Sequence, residues 1–237
     1  MLNKAHTLLY GPKSERENFA LISLVETLHE NLTGQEKLWW PKYHPHEPTV
    51  PADNILDARL RAKYWGAMNI ICRPVIKSIL GRDYAGKQEG IDMTDPLNEF
   101  VDPYNQEILD IAQRGINALI HSTKAFHNLP ERRYIVTNIF GTAQAQWGNL
   151  ITLAAVYRNK HLSHFINPLE LKYLFDRMIQ FLEVISHRSS AFEVDRKILV
   201  GLRLSLFPAD ITRSEPQPLL PNGHPPFSYQ LHQAQTE

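Results

Sequence analysis

Leu21, Leu24, Val25 and Leu28 recur three, four and seven positions apart. That spacing gathers apolar side chains on one face of an α-helix and leaves Glu17, Glu26 and Glu30 for solvent. Ser14-Glu15-Arg16-Glu17 ahead of them has the spacing of a capping box, in which serine and glutamate each satisfy a free backbone N–H. The pattern predicts a helix from Ser14 to about Leu32. Four prolines between Pro41 and Pro51, with His44 and His46 interleaved, remove backbone donors and predict a linker. From Asn54 to Leu80 a second helical stripe runs through Leu56, Leu60, Tyr64, Ala67 and Ile71, and Pro74 inside it is expected to kink or split the helix near Ile70. Gly81 to Asp102 is polar and rich in glycine and proline, which predicts a loop.

A third amphipathic helix is expected over Tyr104 to His127, on Ile108, Ala112, Leu119, Thr123 and Phe126. Ile135 to Tyr157 then contains no charged residue, and its length falls in the range of a membrane span. Asn138, Gln144, Gln146 and Asn149 argue against hydrocarbon, where each amide would need a partner, and favour a central helix buried on all sides in a helical core. Asn167-Pro168-Leu169-Glu170 is a helix start with an amide cap and proline in the first turn, and Leu171, Leu174, Phe175, Met178, Phe181, Leu182 and Ile185 mark the stripe that follows. Ser190 to Glu193 repeats the capping-box spacing and opens a last helix ending before Phe207-Pro208. No useful length of chain alternates in the manner of a half-buried strand. The expectation is a soluble, all-α, single domain over residues 1–207, with about six to eight helices around the uncharged one, and a Pro-rich flexible tail over 208–237.

Composition narrows the function. Lysines plus arginines equal aspartates plus glutamates at 25 each, so no basic excess is available to neutralise phosphates, and direct nucleic-acid binding by this chain is disfavoured. Arg59, Arg61 and Lys63 point in different directions on a helix and read as an exposed charge face, with Asp57 four residues before Arg61. The single cysteine, Cys72, allows no internal disulfide and no multi-thiolate metal site. Met1 to Tyr10 lacks a secretory cleavage pattern, and Asn31-Leu32-Thr33 sits in an expected helix, so its match to a glycosylation site reads as coincidence.

Candidate chemistry is sparse. Gly81 to Gln88 nearly spells a phosphate-binding loop, but Gln88 stands where a hydroxyl must hold magnesium, and a helix precedes it where a strand is required. His161 and His164 could face one another across a helical turn, but no third metal ligand is evident, and no metal or cofactor is expected. No nucleophile elbow, dinucleotide fingerprint or catalytic carboxylate pair is legible, and the chain reads as a non-enzyme. Gly66, Gly115, Gly141, Gly148 and Gly201 each interrupt an expected helix at about 1 kcal/mol relative to alanine, which implies close approach by a neighbouring helix or a ligand. The amides Asn138, Gln144, Gln146 and Asn149 pose the same choice between helix-to-helix hydrogen bonds and an effector pocket, with the first favoured.

Two segments carry a family resemblance: Ala58 to Pro74 (ARLRAKYWGAMNIICRP) and Ile135 to Asn149 (IVTNIFGTAQAQWGN). With Met1 to Tyr10, the helix through Asn31-Leu32-Thr33 and Ile120 to Phe126, they resemble, in order and spacing, the C-terminal regulatory region of fungal zinc binuclear cluster transcription factors. The resemblance covers most of Met1 to Phe207. It departs at Cys72, where the family often has histidine, and at Trp65, which replaces a common tyrosine. The six-cysteine DNA reader that normally precedes this region is missing, so the chain is expected to be an N-terminally truncated version of it. The family supplies no shared catalytic residue or effector site. What the resemblance implies is a nuclear module linked to transcription by RNA polymerase II. Such a module restrains activity, senses a small-molecule effector, or binds the transcription machinery or full-length relatives, and pairing with relatives would require an exposed apolar patch. The rival expectation is a helical small-molecule-binding protein or cofactor-free enzyme with a pocket beside helix 135–157.

Overall fold

The computed structural model describes residue 9 and residues 18–39, 55–88, 106–127, 139–186 and 190–208. Among them are six α-helices and one 3-10 turn, and no strand: α1 (Asn18–Trp39), α2 (Ile55–Gln88), α3 (Gln106–Lys124), α4 (Ile139–Tyr157), the turn Ser163–Phe165, α5 (Pro168–Ile185) and α6 (Ala191–Leu206). The expected all-α single domain is what forms. Ser14 to Glu17, the linker around Pro41 to Pro51 and the tail beyond Pro208 lie outside the described residues, as does the stretch after Gln88 up to Asn105.

The core is built on α3, where ten residues are buried, among them Ile111, Ile116 and Leu119 with no exposed surface. Each such side chain removed from water contributes roughly 1.5–3 kcal/mol. The most extensive packing is between α3 and α2, whose Ile71, Cys72, Val75, Ile76 and Ile79 supply the facing layer. These two helices run antiparallel, since Trp65 lies against His121 near one end and Gly115 lies against Cys72 and Ile76 further along. α1 rests on α2 through Ile22, Val25 and Leu28.

Two expectations about α2 are corrected. Pro74 does not split it: one helix runs from Ile55 through Pro74 to Gln88. Proline has no N–H to give the carbonyl of Ile70, yet its neighbours Ile71, Cys72, Val75 and Ile76 are all at most 4 % exposed, and this burial outweighs the lost bond. The helix also continues through Gly81 to Gln88, so the segment resembling a phosphate-binding loop has helical backbone and cannot cradle phosphate with successive free N–H groups.

After α4 the chain turns on Asn159, a buried residue whose Oδ1 accepts from the N–H groups of His161 (2.9 Å) and Leu162 (3.1 Å), an Asx turn that buries Leu162 fully. Asn167 then caps α5 as its sequence predicts, accepting from Leu169 N–H at 2.9 Å and Glu170 N–H at 3.3 Å, with Pro168 in the first turn. Ser190 caps α6 by accepting from Glu193 N–H. α5 and α6 form an antiparallel hairpin bridged by the Arg203–Asp176 ion pair. α6 lies parallel to α4: Phe192 sits 5.7 Å from Phe140 near one end, and Phe207 sits 5.8 Å from Tyr157 near the other.

The uncharged helix differs from its expectation. Ala143, Gln146, Asn149, Leu150, Leu153, Ala154 and Val156 are buried, but Phe140, Gly141, Ala145 and Ala155 are exposed. α4 is therefore covered on one side and open on the other rather than enclosed. Among the described residues no helix is long and apolar enough to cross a membrane.

Candidate functional site

The four amides singled out on the uncharged segment do not converge. Asn138 lies outside the described residues. Gln144 donates from Nε2 to Asp195 Oδ2 at 2.6 Å, and one turn on Trp147 Nε1 donates to the Asp195 backbone oxygen at 3.3 Å, so this edge of α4 holds α6. Asn149 points elsewhere. Its Nδ2 donates to Thr123 Oγ1 at 3.3 Å, and Thr123 in turn donates to the Leu119 carbonyl at 2.8 Å, a buried chain joining α4 to α3. Gln146 stands between the two in the sequence, in the middle of the buried face, 5 % exposed. Gln144 and Asn149 thus act as interhelical ties.

A second polar group joins α1 to α3, and no local sequence signal foretells it. The Arg114 guanidinium donates to both carboxylate oxygens of Glu26, one at 3.0 Å, and its NH1 stands 3.1 Å from Nδ1 of His29. The hydrogen bond from Arg114 holds the Glu26 carboxyl below its ordinary range, and the same bond raises the arginine further. Burial and then the neighbouring guanidinium lower His29. Cys72 lies close by, and burial pushes its thiol up to about 12, so it carries almost no thiolate at neutral pH.

A third group closes the end of α3. His127, in the turn after Lys124, has both ring nitrogens buried with no hydrogen-bond partner among the described residues. Its carbonyl accepts from Arg177 NH2 at 2.6 Å, and its ring meets Tyr173 edge-on at 5.9 Å. Burial first, and then the positive charges of Arg177 and Lys124, lower His127 to about 4. Lys124 is paired with Glu170. His121 is lowered as well, chiefly by burial, beneath the Trp65 ring at 4.7 Å.

The remaining candidates stay apart. His164 is exposed and stacks on Phe165 at 3.9 Å, while His161 lies in the turn led by Asn159. No three His, Cys, Asp or Glu side chains among the described residues stand close enough to share a metal ion. Lys63 is exposed, whereas Arg59 and Arg61 are half-buried. His44, His46 and His187 are outside the described residues. Of the helix-interior glycines, Gly115 is closely packed, whereas a Cβ on Gly66, Gly148 or Gly201 would meet nothing within 4 Å. Searches against protein-family models, curated proteins and solved structures return no match to this chain.

Proposed function

We propose that the chain is a regulatory or partner-binding module of the kind found in the C-terminal region of fungal zinc binuclear cluster transcription factors, working in the nucleus and without catalysing a reaction. The observation that carries this reading is the pair of segments Ala58 to Pro74 and Ile135 to Asn149, whose residues resemble that region in order and spacing. The described parts of both are helical, and Asn149 is used for a tie between helices rather than for chemistry. Its partners are then other proteins of the transcription machinery or full-length relatives. Fusing the chain to an unrelated DNA-reading domain upstream of a reporter tests this: a severalfold change in transcription is expected. An unchanged reporter, together with exclusion of the fusion from the nucleus, counts against the reading.

Gln146 favours a second reading, in which α4 contributes to a small-molecule site. A polar side chain 5 % exposed in the middle of an otherwise largely apolar helix face is the kind of group that orients a bound effector. In a thermal-shift screen of metabolites a true ligand would raise the melting temperature of the native chain and leave that of Gln146→Leu unchanged. Turnover of any compound in the screen would replace the regulatory reading with an enzymatic one.

A further inference from the structure

The outward side of α2 carries positive charge and no acid. Arg59, Lys63, Gly66, Ile70, Arg73 and Lys77 follow one another at spacings of four, three, four, three and four, which places them on a single stripe. Buried Met68, Ile71 and Val75 occupy the opposite side of the helix, so the stripe faces away from the core. Lys63, Arg73 and Lys77 are exposed and Arg59 is half-buried. Neither acid of the helix, Asp57 or Asp83, has a register position on the stripe. Among the described residues no salt bridge involves any of the four cations.

The charges come as two pairs. Arg59 and Lys63 stand one turn apart, and Arg73 and Lys77 repeat the arrangement fourteen residues later, a rise of roughly 21 Å. The stretch between them, Tyr64 to Cys72, carries no charge, and there the stripe consists of Gly66 and Ile70. A Cβ on Gly66 would meet nothing within 4 Å, so the backbone is open to close approach at this point. Like charges one turn apart disfavour the helix that bears them, and so does an interior glycine. A ligand of opposite charge that lies close to the helix would offset both.

We propose that this stripe docks an acidic α-helix of a partner protein, laid along α2, its carboxylates paired with the cations at both ends and its backbone close to Gly66 between them. The match is one of rise. Any α-helix climbs about 1.5 Å per residue, so carboxylates at positions i, i+4, i+14 and i+18 come level with all four cations. That spacing reads the same from either end, and the partner fits parallel or antiparallel. A crossing angle near about 20° keeps two helices in contact over such a length. A phosphate backbone fits less well. It places an anion at every nucleotide, including along the uncharged centre of the stripe, and a chain with 25 acids and 25 bases exerts no general attraction on a polyanion. One helix laid on one helix makes less than a standard interface, and its ion pairs stay near water, so the complex is transient and sensitive to salt. The inference uses only the charge and spacing of α2, and it stands whether or not the chain acts in transcription.

Fluorescence anisotropy tests it, with the full chain titrated into a labelled, alanine-rich helical peptide bearing glutamates at i, i+4, i+14 and i+18. A Kd of about 10–100 μM is expected at low salt, weakening about tenfold as salt rises to about 200 mM. A peptide of the same composition, its four glutamates spread around the helix, should bind at least about fivefold more weakly. Lys63→Glu combined with Lys77→Glu changes only exposed positions, and it should abolish binding while the helical circular dichroism and the melting temperature hold. Gly66→Leu should weaken the peptide about tenfold, an effect that a contact made through charge alone would not show. Equal binding of the two peptides overturns the proposal, as does binding that charge reversal or Gly66→Leu leaves intact, or no binding at millimolar chain. Tighter binding of a 20-base-pair DNA duplex, or of vesicles rich in phosphatidylserine, that is lost on charge reversal also overturns it and assigns the stripe to phosphate.

Discussion

Gly115 of α3 faces Cys72 of α2 so closely that a Cβ on the glycine would stand 2.7 Å from the cysteine Cβ and 2.8 Å from Cδ1 of Ile76. The most extensive helix pair of the molecule is therefore set by the absence of a side chain at one position. Gly115→Ala gains helix propensity but forces α2 away from α3, and a net loss of about 2 kcal/mol is expected, read as a lower urea midpoint. Gly66→Ala on α2 is the control. With nothing within 4 Å of its Cβ, it should raise stability by up to about 1 kcal/mol, read as a higher urea midpoint.

Stability should fall in mild acid, and His127 is a principal reason. Burial and the charges of Arg177 and Lys124 lower its pKa from 6.5 to about 4, so the unfolded chain binds this proton more readily than the folded one. The contribution is intact above pH 6.5 and declines as pH drops from there toward 4, by up to about 3 kcal/mol. His29 and His121, lowered too, act in the same direction. His127→Phe keeps a ring against Tyr173 and cannot titrate. Urea unfolding across this window should show a shallower pH slope for that variant than for the native chain.

Glu26 and Arg114 link α1 to the core helix, each side chain about one-third exposed. A double-mutant cycle with Glu26→Gln and Arg114→Met should return a coupling of about 1 kcal/mol that shrinks as salt is added. Because the arginine's hydrogen bond holds the Glu26 carboxyl below 4.5, its share is present above that pH and disappears as the pH falls through the folded value. Hydrogen exchange in α1 should accelerate in either single variant, and equal protection in all four proteins would remove this pair from the account.

Capping can be tested at two sites. Asn167→Ala frees the N–H groups of Leu169 and Glu170, and Ser190→Ala frees that of Glu193. Each should lower stability by about 1 kcal/mol, and their effects should add, since they start different helices. Thermal unfolding of the two single variants and the double variant measures it.

Helices were legible along this chain because their signals are local. Asn167 with Pro168 marks a start, Leu171, Leu174, Phe175, Met178 and Leu182 repeat at helical spacing, and the turn chemistry of neither depends on distant residues. Where local signals conflicted with packing, packing prevailed. Pro74 announces a break, but the apolar neighbours it shares with α3 carry the helix through it. The candidate site was less legible, since an amide in a sequence does not reveal its partner. Gln144 and Asn149 are five positions apart, and therefore more than a full turn, yet one reaches α6 and the other α3.

The amino-acid order by itself determined that this protein is helical, where most of its described helices begin and end, and that one helix would carry no charge. Only the tertiary structure decided that α3 rather than the uncharged helix lies at the centre, that Glu26 would find Arg114, and that Gln144 and Trp147 would both reach Asp195. Helix formation is written in residues three and four apart, which the chain brings together unaided. Partnership between helices depends on side chains dozens of positions distant, and it is fixed only when the apolar stripes of all of them are buried at once.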